Sequence, residues 1–127
     1  LSDIILKSLL NLSIKPKAKS ISIYQNTIKH TLRDTKPNIK KPNIDEIKQA
    51  VNILDKAKHV YYDKKENTLL YFYDKVDDNN MITYIVVRLD YTLKKFKTDN
   101  FIATITKIPL INYKAIIKDK VRYKNMR

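Results

Sequence analysis

Glycine is absent from this chain of 127 residues, as are cysteine and tryptophan. Without glycine no GxxxxGK[S/T] loop, GxGxxG turn or GxSxG elbow can exist, so cradling of phosphate by a glycine loop is excluded. Left-handed turn positions must then be filled by asparagines such as Asn67, Asn79 and Asn80. Without cysteine there is neither a disulfide scaffold nor a thiolate metal site, and the redox compartment is left open. No apolar run approaches the roughly 18 residues that a membrane-crossing helix needs, so membrane insertion is not expected. The first twelve residues have no basic start and no small-residue cleavage site, so they do not read as a signal peptide. A chain that starts at Leu1 rather than at methionine reads as a piece of a longer protein.

What the chain has in excess is positive charge. Lys, Asn, Ile and Tyr make up almost half of the residues, which A/T-rich coding produces by itself. Asp and Glu codons are equally A/T-compatible, yet 26 Lys and Arg face 13 Asp and Glu, for a net charge of +13. That imbalance calls for a polyanionic partner: nucleic acid, an anionic membrane face or an acidic protein. The charge is unevenly placed. Residues 12–42 carry eight basic and one acidic side chain, residues 107–127 carry seven and one, and residues 43–106 are close to neutral. Lys15, Lys17 and Lys19 in the first flank would add contacts to a nucleic-acid backbone. The last ten residues, KDKVRYKNMR, read as a solvated, partly disordered tail.

At this length the chain forms one domain able to fold without disulfides or metal. Ser2 is a good N-cap, and Ile4, Ile5, Leu6, Leu9, Leu10 and Leu12 recur at helical spacing behind it. Residues 14–20, with Pro16 and three lysines, read as a linker or edge segment. Residues 21–34 alternate briefly and then turn helical, with Ile28 and Leu32 as the buried stripe and Pro37 and Pro42 closing the helix. Asn43 with Glu46 makes a capping-box-like start, and Ile44, Ile47, Val51 and Leu54 share one face, so a second helix is expected over 44–56. From there the period becomes two. HVYYD (59–63), TLLYFYD (68–74), MITYIVVRLD (81–90) and FIATITKI (101–108) read as a meander of four strands. Helices first and antiparallel strands afterwards predict an α+β domain, with N-terminal helices packed on one face of a four-stranded antiparallel twisted sheet.

Few groups could carry chemistry. Asp74, Asp77 and Asp78 form an acidic cluster, but in a hairpin turn without the glycine and terminal glutamate of a calcium loop. His59 has no second histidine or thiol at metal spacing, so no zinc site is expected. His30 precedes Arg33 by one helical turn, so imidazole and guanidinium would share a face. A proton carrier beside a permanent cation suits a phosphodiester, one moving a proton near neutral pH and the other holding phosphate oxygens. A pair on the surface of a lysine-rich helix has the same spacing, and that reading competes. What remains is a metal-free set of His, Arg, Lys, Thr and Tyr. RNA can be cut by such groups alone because its own 2′-hydroxyl is the nucleophile. The nine tyrosines could also offer stacking faces to unpaired bases.

The pieces KHTLRDTK (29–36), VYYD (60–63), VVRLDYTLKK (86–95) and NFIATITKI (100–108), in this order, resemble the nuclease domains of the barnase, EndoU, colicin and RelE-like group. Such domains are found at the C-termini of phage head-morphogenesis proteins and of bacterial polymorphic toxins. The resemblance covers roughly residues 19–110, leaving 1–18 as an N-terminal helix and linker and 111–127 as a basic tail. It departs from the family at Ile105, where members often have glycine.

The resemblance implies a metal-independent endoribonuclease of toxin type that cuts RNA, tRNA among its candidate substrates, to a 2′,3′-cyclic phosphate without a cofactor. It implies that His30 transfers the proton, Arg33 clamps the phosphate, Tyr91 acts as acid, orienter or stacking residue, and Thr104 donates to the phosphate. Lys36, Lys95, Asn100 and Lys107 are its expected RNA contacts. It further implies release from a larger secreted or phage-borne protein, action in the bacterial cytoplasm, and restraint by an acidic immunity protein. A non-catalytic nucleic-acid-binding module and a structural or interaction domain of a phage or toxin protein are the alternatives.

Overall fold

Ser2 starts the first helix as its sequence predicts, its hydroxyl accepting from the Ile5 N–H at 3.4 Å. The computed structural model describes residues 1–23, 54, 57–92 and 98–127, excepting the side chains of 22, 23, 91, 92, 98 and 99. The order is α1 (Asp3–Asn11), β1 (Ile21–Ile23), β2 (His59–Asp63), β3 (Thr68–Val76), β4 (Met81–Thr92), β5 (Thr98–Pro109), α2 (Leu110–Lys118) and β6 (Tyr123–Asn125). The helix expected within 21–34 and the one expected over 44–56 fall outside these residues, apart from the short β1 segment and Leu54, which is helical and packs against the core.

The domain is α+β, and the four expected strands are its centre. The sheet runs β1-β5-β4-β3-β2-β6. Among the described residues it has six strands rather than four, because three-residue edge strands flank the meander. β1 joins β5 in parallel and β6 joins β2 antiparallel. Strands of three residues are too short to leave a period-two signal. Asn67 and Asn80 adopt φ of 53° and 58°, and Ser13 and Asp90 also turn left-handed, at 62° and 50°. Asparagine and aspartate accept this conformation at lower cost than most residues, which is how the chain turns without glycine.

Alternation along the strands sends side chains to two faces. One carries Val60, Tyr62, Leu69, Tyr71, Ile85, Val87, Ile102 and Ile105, sealed by Ile5 and Leu9 of α1. The other carries Leu70, Phe72, Ile82 and Ile108, against which Tyr113 and Ile116 of α2 pack. Helices therefore cover both faces, not one. The second cover comes from the segment read as a basic tail. That reading is corrected: residues 110–118 form a helix, β6 extends the sheet, and Met126 is buried among the α1-side residues. The Met126 N–H donates to the Val60 carbonyl at 2.8 Å, and the Ser8 hydroxyl donates to the Met126 carbonyl at 2.9 Å.

Candidate functional site

Strand register organises the α2 face into rows of side chains. The outermost row is Tyr123–Asp63–Thr68–Arg88, across β6, β2, β3 and β4. The next is Tyr61–Leu70–Val86–Thr104, and the third is His59–Phe72–Tyr84–Thr106. Opposed residues in such rows stand about 5 Å apart and successive rows about 7 Å. α2 covers the third row: the Tyr113 ring meets Phe72 edge-on at 4.6 Å, and Phe72 stacks on Tyr84 at 5.5 Å. Packing and burial push the Tyr113 hydroxyl up to about 12, so it stays protonated at any physiological pH. Beyond α2 the first two rows remain open as a groove of about 310 Å³, at the small end of the range for ligand pockets.

The floor of the groove is apolar and its borders are polar. Leu70, Val86 and Ala103 lie under it, with Arg88, Thr104, Tyr84, Arg122 and Tyr123 around it. Ala103 and Thr104 are adjacent yet line the same groove because β5 is bulged there: Val86 pairs with Thr104 and Val87 with Ile102. An extra residue in a strand re-aims its side chain in this way. The irregularity thus sits before Ile105, which is itself buried in the opposite core.

The acidic end of the groove is closed by an ion pair. The Arg122 Nε and Nη2 donate to the two Asp63 oxygens, each at 2.9 Å. The Lys65 N–H donates to the same carboxylate at 3.0 Å. Burial raises the Asp63 carboxyl, but the Arg122 hydrogen bond and charge and the backbone N–H groups outweigh it, holding the group below the usual carboxylate range. The Arg122 guanidinium in turn sits 5.0 Å over the Tyr123 ring. Burial pushes the Tyr123 hydroxyl up.

Of the residues singled out from the sequence whose side chains are described, Thr104 lines this groove. Two others, expected as RNA contacts, have side chains engaged within the fold. Asn100 is 0% exposed: its amide nitrogen donates to the carbonyls of Ala18 and Ser20, and its oxygen accepts from the Asp90 N–H at 3.1 Å. It ties the linker to β5. Lys107, three residues beyond Thr104, emerges on the opposite face; its side chain is 9% exposed and pairs with Asp77 at 3.0 Å, bracing the β3–β4 turn. Asp77 serves that turn as expected, accepting from the N–H groups of Asn79 and Met81. Tyr91 lies on β4 with its backbone opposite Asp99. Its side chain lies outside the described residues, as do His30, Arg33, Lys36 and Lys95.

Arg88, Arg122 and Tyr123 were not picked out from the sequence. Arg88 lay inside the VVRLD strand, where alternation alone puts it on the face of Val86 and away from Val87. Arg122 and Tyr123 lay in the supposed tail, where the alternate Tyr123 and Asn125 were too brief a pattern to mark a strand. No protein-family model, curated protein or solved structure matches the chain. Among the described residues no helix is long and apolar enough to cross a membrane.

Proposed function

We propose that this chain is a metal-independent endoribonuclease domain of toxin type, with the groove beyond α2 as the seat of the RNA. The observation that carries the proposal is a groove with an apolar floor, bordered by Arg88, Arg122, Thr104 and two tyrosines and lined also by Asp63 and Glu66, on a chain of net charge +13. Guanidinium and hydroxyl groups suit phosphate and ribose, while the apolar floor and aromatic borders suit a base.

In the reaction the 2′-oxygen of the RNA bonds to the adjacent phosphorus and the bond from phosphorus to the 5′-oxygen breaks. The 2′-hydroxyl proton passes to a base on the protein, and a proton is delivered to the departing 5′-oxygen. The products are a 2′,3′-cyclic phosphate and a 5′-hydroxyl. His30 carries these transfers in this reading, imidazole being the side chain that exchanges a proton near neutral pH, and Arg33 and Arg88 offset the charge that develops on the phosphate. Cleavage by this route, an internal transesterification, needs no cofactor.

Delivery as part of a larger secreted or phage-borne protein, action on bacterial RNA such as tRNA, and neutralisation by an acidic immunity protein belong to the same reading. A polycation gains fast association with such an inhibitor through electrostatic steering. Incubation with RNA in EDTA tests the proposal, because cutting must survive removal of divalent metal.

A second reading, RNA binding without cleavage, is favoured by one observation: the described lining of the groove includes no histidine. His59 sits away from it, exposed and edge-on to Tyr113 at 6.3 Å. The same incubation separates the readings.

A further inference from the structure

Arg122 is held in a way that a phosphate clamp does not require. Its two hydrogen bonds to Asp63 are bidentate, which fixes the plane of the guanidinium. The Tyr123 ring lies beneath at 5.0 Å. The side chain remains 34% exposed, while Asp63 is 6% exposed. A flat cation is thus locked along one edge, supported from below and open toward the groove. Its charge is already met by Asp63, so its added attraction for a phosphate is small. What it offers is a planar face, and nucleic-acid bases stack on guanidinium planes as they do on aromatic rings.

We propose that Arg122, positioned by Asp63 and Tyr123, is a stacking platform that seats one unpaired nucleobase in the groove and so restricts the domain to single-stranded or looped RNA. This rests on the reading that the groove binds RNA. Arg88, on β4, stands at the far end of the row that starts at Tyr123 on β6, the residue after Arg122. Three strand spacings separate the Tyr123 and Arg88 backbones, roughly 14 Å at about 4.8 Å each. Side chains reaching inward from both ends leave a span suited to one nucleotide, with its base on Arg122, its sugar over Leu70 and Val86, and its phosphate toward Arg88 and Thr104. The volume of about 310 Å³ is of the same order. A paired base cannot enter without being flipped out of its stack, which costs energy that a single strand has no need to spend. Because every base has a face, the platform is tolerant of sequence.

The test is binding of a short 2′-O-methyl RNA, which cannot be cut, alone and annealed to its complement, by fluorescence anisotropy at one salt concentration. The single strand should bind at least tenfold more tightly than the duplex. Arg122→Lys keeps the charge and loses the plane. It should weaken single-strand binding by roughly 5- to 100-fold and leave duplex binding unchanged. On the wild-type chain, NMR should show the Arg122 Hδ resonances moving upfield as the single strand is added, the mark of a ring face above them. This readout holds even where the substitution disturbs β6. Equal affinity for single strand and duplex, wild-type binding by Arg122→Lys, or no upfield movement would each overturn the platform. Absence of cutting on ordinary RNA with the single-strand preference intact would instead remove the nuclease reading and leave the platform standing.

Discussion

Arg122 reaches from the closing segment of the chain to grip both carboxylate oxygens of Asp63, at 2.9 Å each, and this contact makes the C-terminal residues part of the sheet. The Lys64 N–H also donates to the Arg122 carbonyl at 2.9 Å. The groove therefore gains its outer wall only when residues 119–126 are docked.

That docking should depend on acid. The Asp63 carboxyl is held below its ordinary value in the folded chain. A carboxyl lowered by folding adds stability that is complete above its unfolded value, near pH 4, and is lost as pH falls through the folded value. Cross-strand NOEs between Tyr123 and Asp63 should persist at neutral pH and fade below about pH 4, ahead of the central strands. In Asp63→Asn the docking should be weaker throughout and lose this pH dependence. Fading at the same pH in that variant would assign the effect to another group.

The C-terminal anchor is Met126. Its side chain is 2% exposed in the α1-side core, and truncation of such a residue to alanine typically costs 2–5 kcal/mol. Met126→Ala should lower unfolding stability by about 2–4 kcal/mol in urea denaturation. A change below about half a kcal/mol, the usual scale for a surface site, would return this segment to the status of a tail.

Asn100→Ala separates a structural amide from a catalytic one. Removing it leaves the carbonyls of Ala18 and Ser20 and the N–H of Asp90 without this partner. Stability should fall by about 1–3 kcal/mol, while the rate of RNA cutting per folded molecule stays within about twofold. A loss of the 10²- to 10⁴-fold size typical of proton-transfer groups, with the fold intact, would restore Asn100 to the site.

The order of helix, linker and meander was legible because it rests on period: Ser2 with the α1 stripe, and the alternation of residues 59–63, 68–74, 81–90 and 101–108. The edge strands were not, since three residues of β1 and three of β6 carry no period. The groove was less legible still. It depends on register, which sets Tyr123, Asp63, Thr68 and Arg88 in one row although they span three hairpins and sixty residues of sequence. Asn100 and Lys107 were expected as RNA contacts because the resemblance implies them. Which face they take and which partners they meet are decided by the bulge at Ala103 and by the turn at Asp77.

Position also reassigns the linker lysines. Lys15 and Lys19 flank an apolar cleft with Leu6, Leu10 and Ile14 on the α1 side, opposite the groove. Substituting Lys15, Lys17 and Lys19 together should leave the salt dependence of a short single strand almost unchanged, whereas Arg88→Ala should lower the slope by about 0.7, one single-strand phosphate contact. A slope reduced by about 2 in the triple variant would place the RNA across the linker instead.

The most direct measurement is incubation of the domain with total RNA in EDTA, with mapping of the ends formed, alongside His30→Ala and His59→Ala. The account predicts cutting without divalent metal, ends carrying 2′,3′-cyclic phosphate and 5′-hydroxyl, loss of about 10²- to 10⁴-fold in rate for a folded His30→Ala, and wild-type cutting by His59→Ala. RNA left intact in EDTA by the wild-type domain, or cut equally fast by His30→Ala, would contradict it.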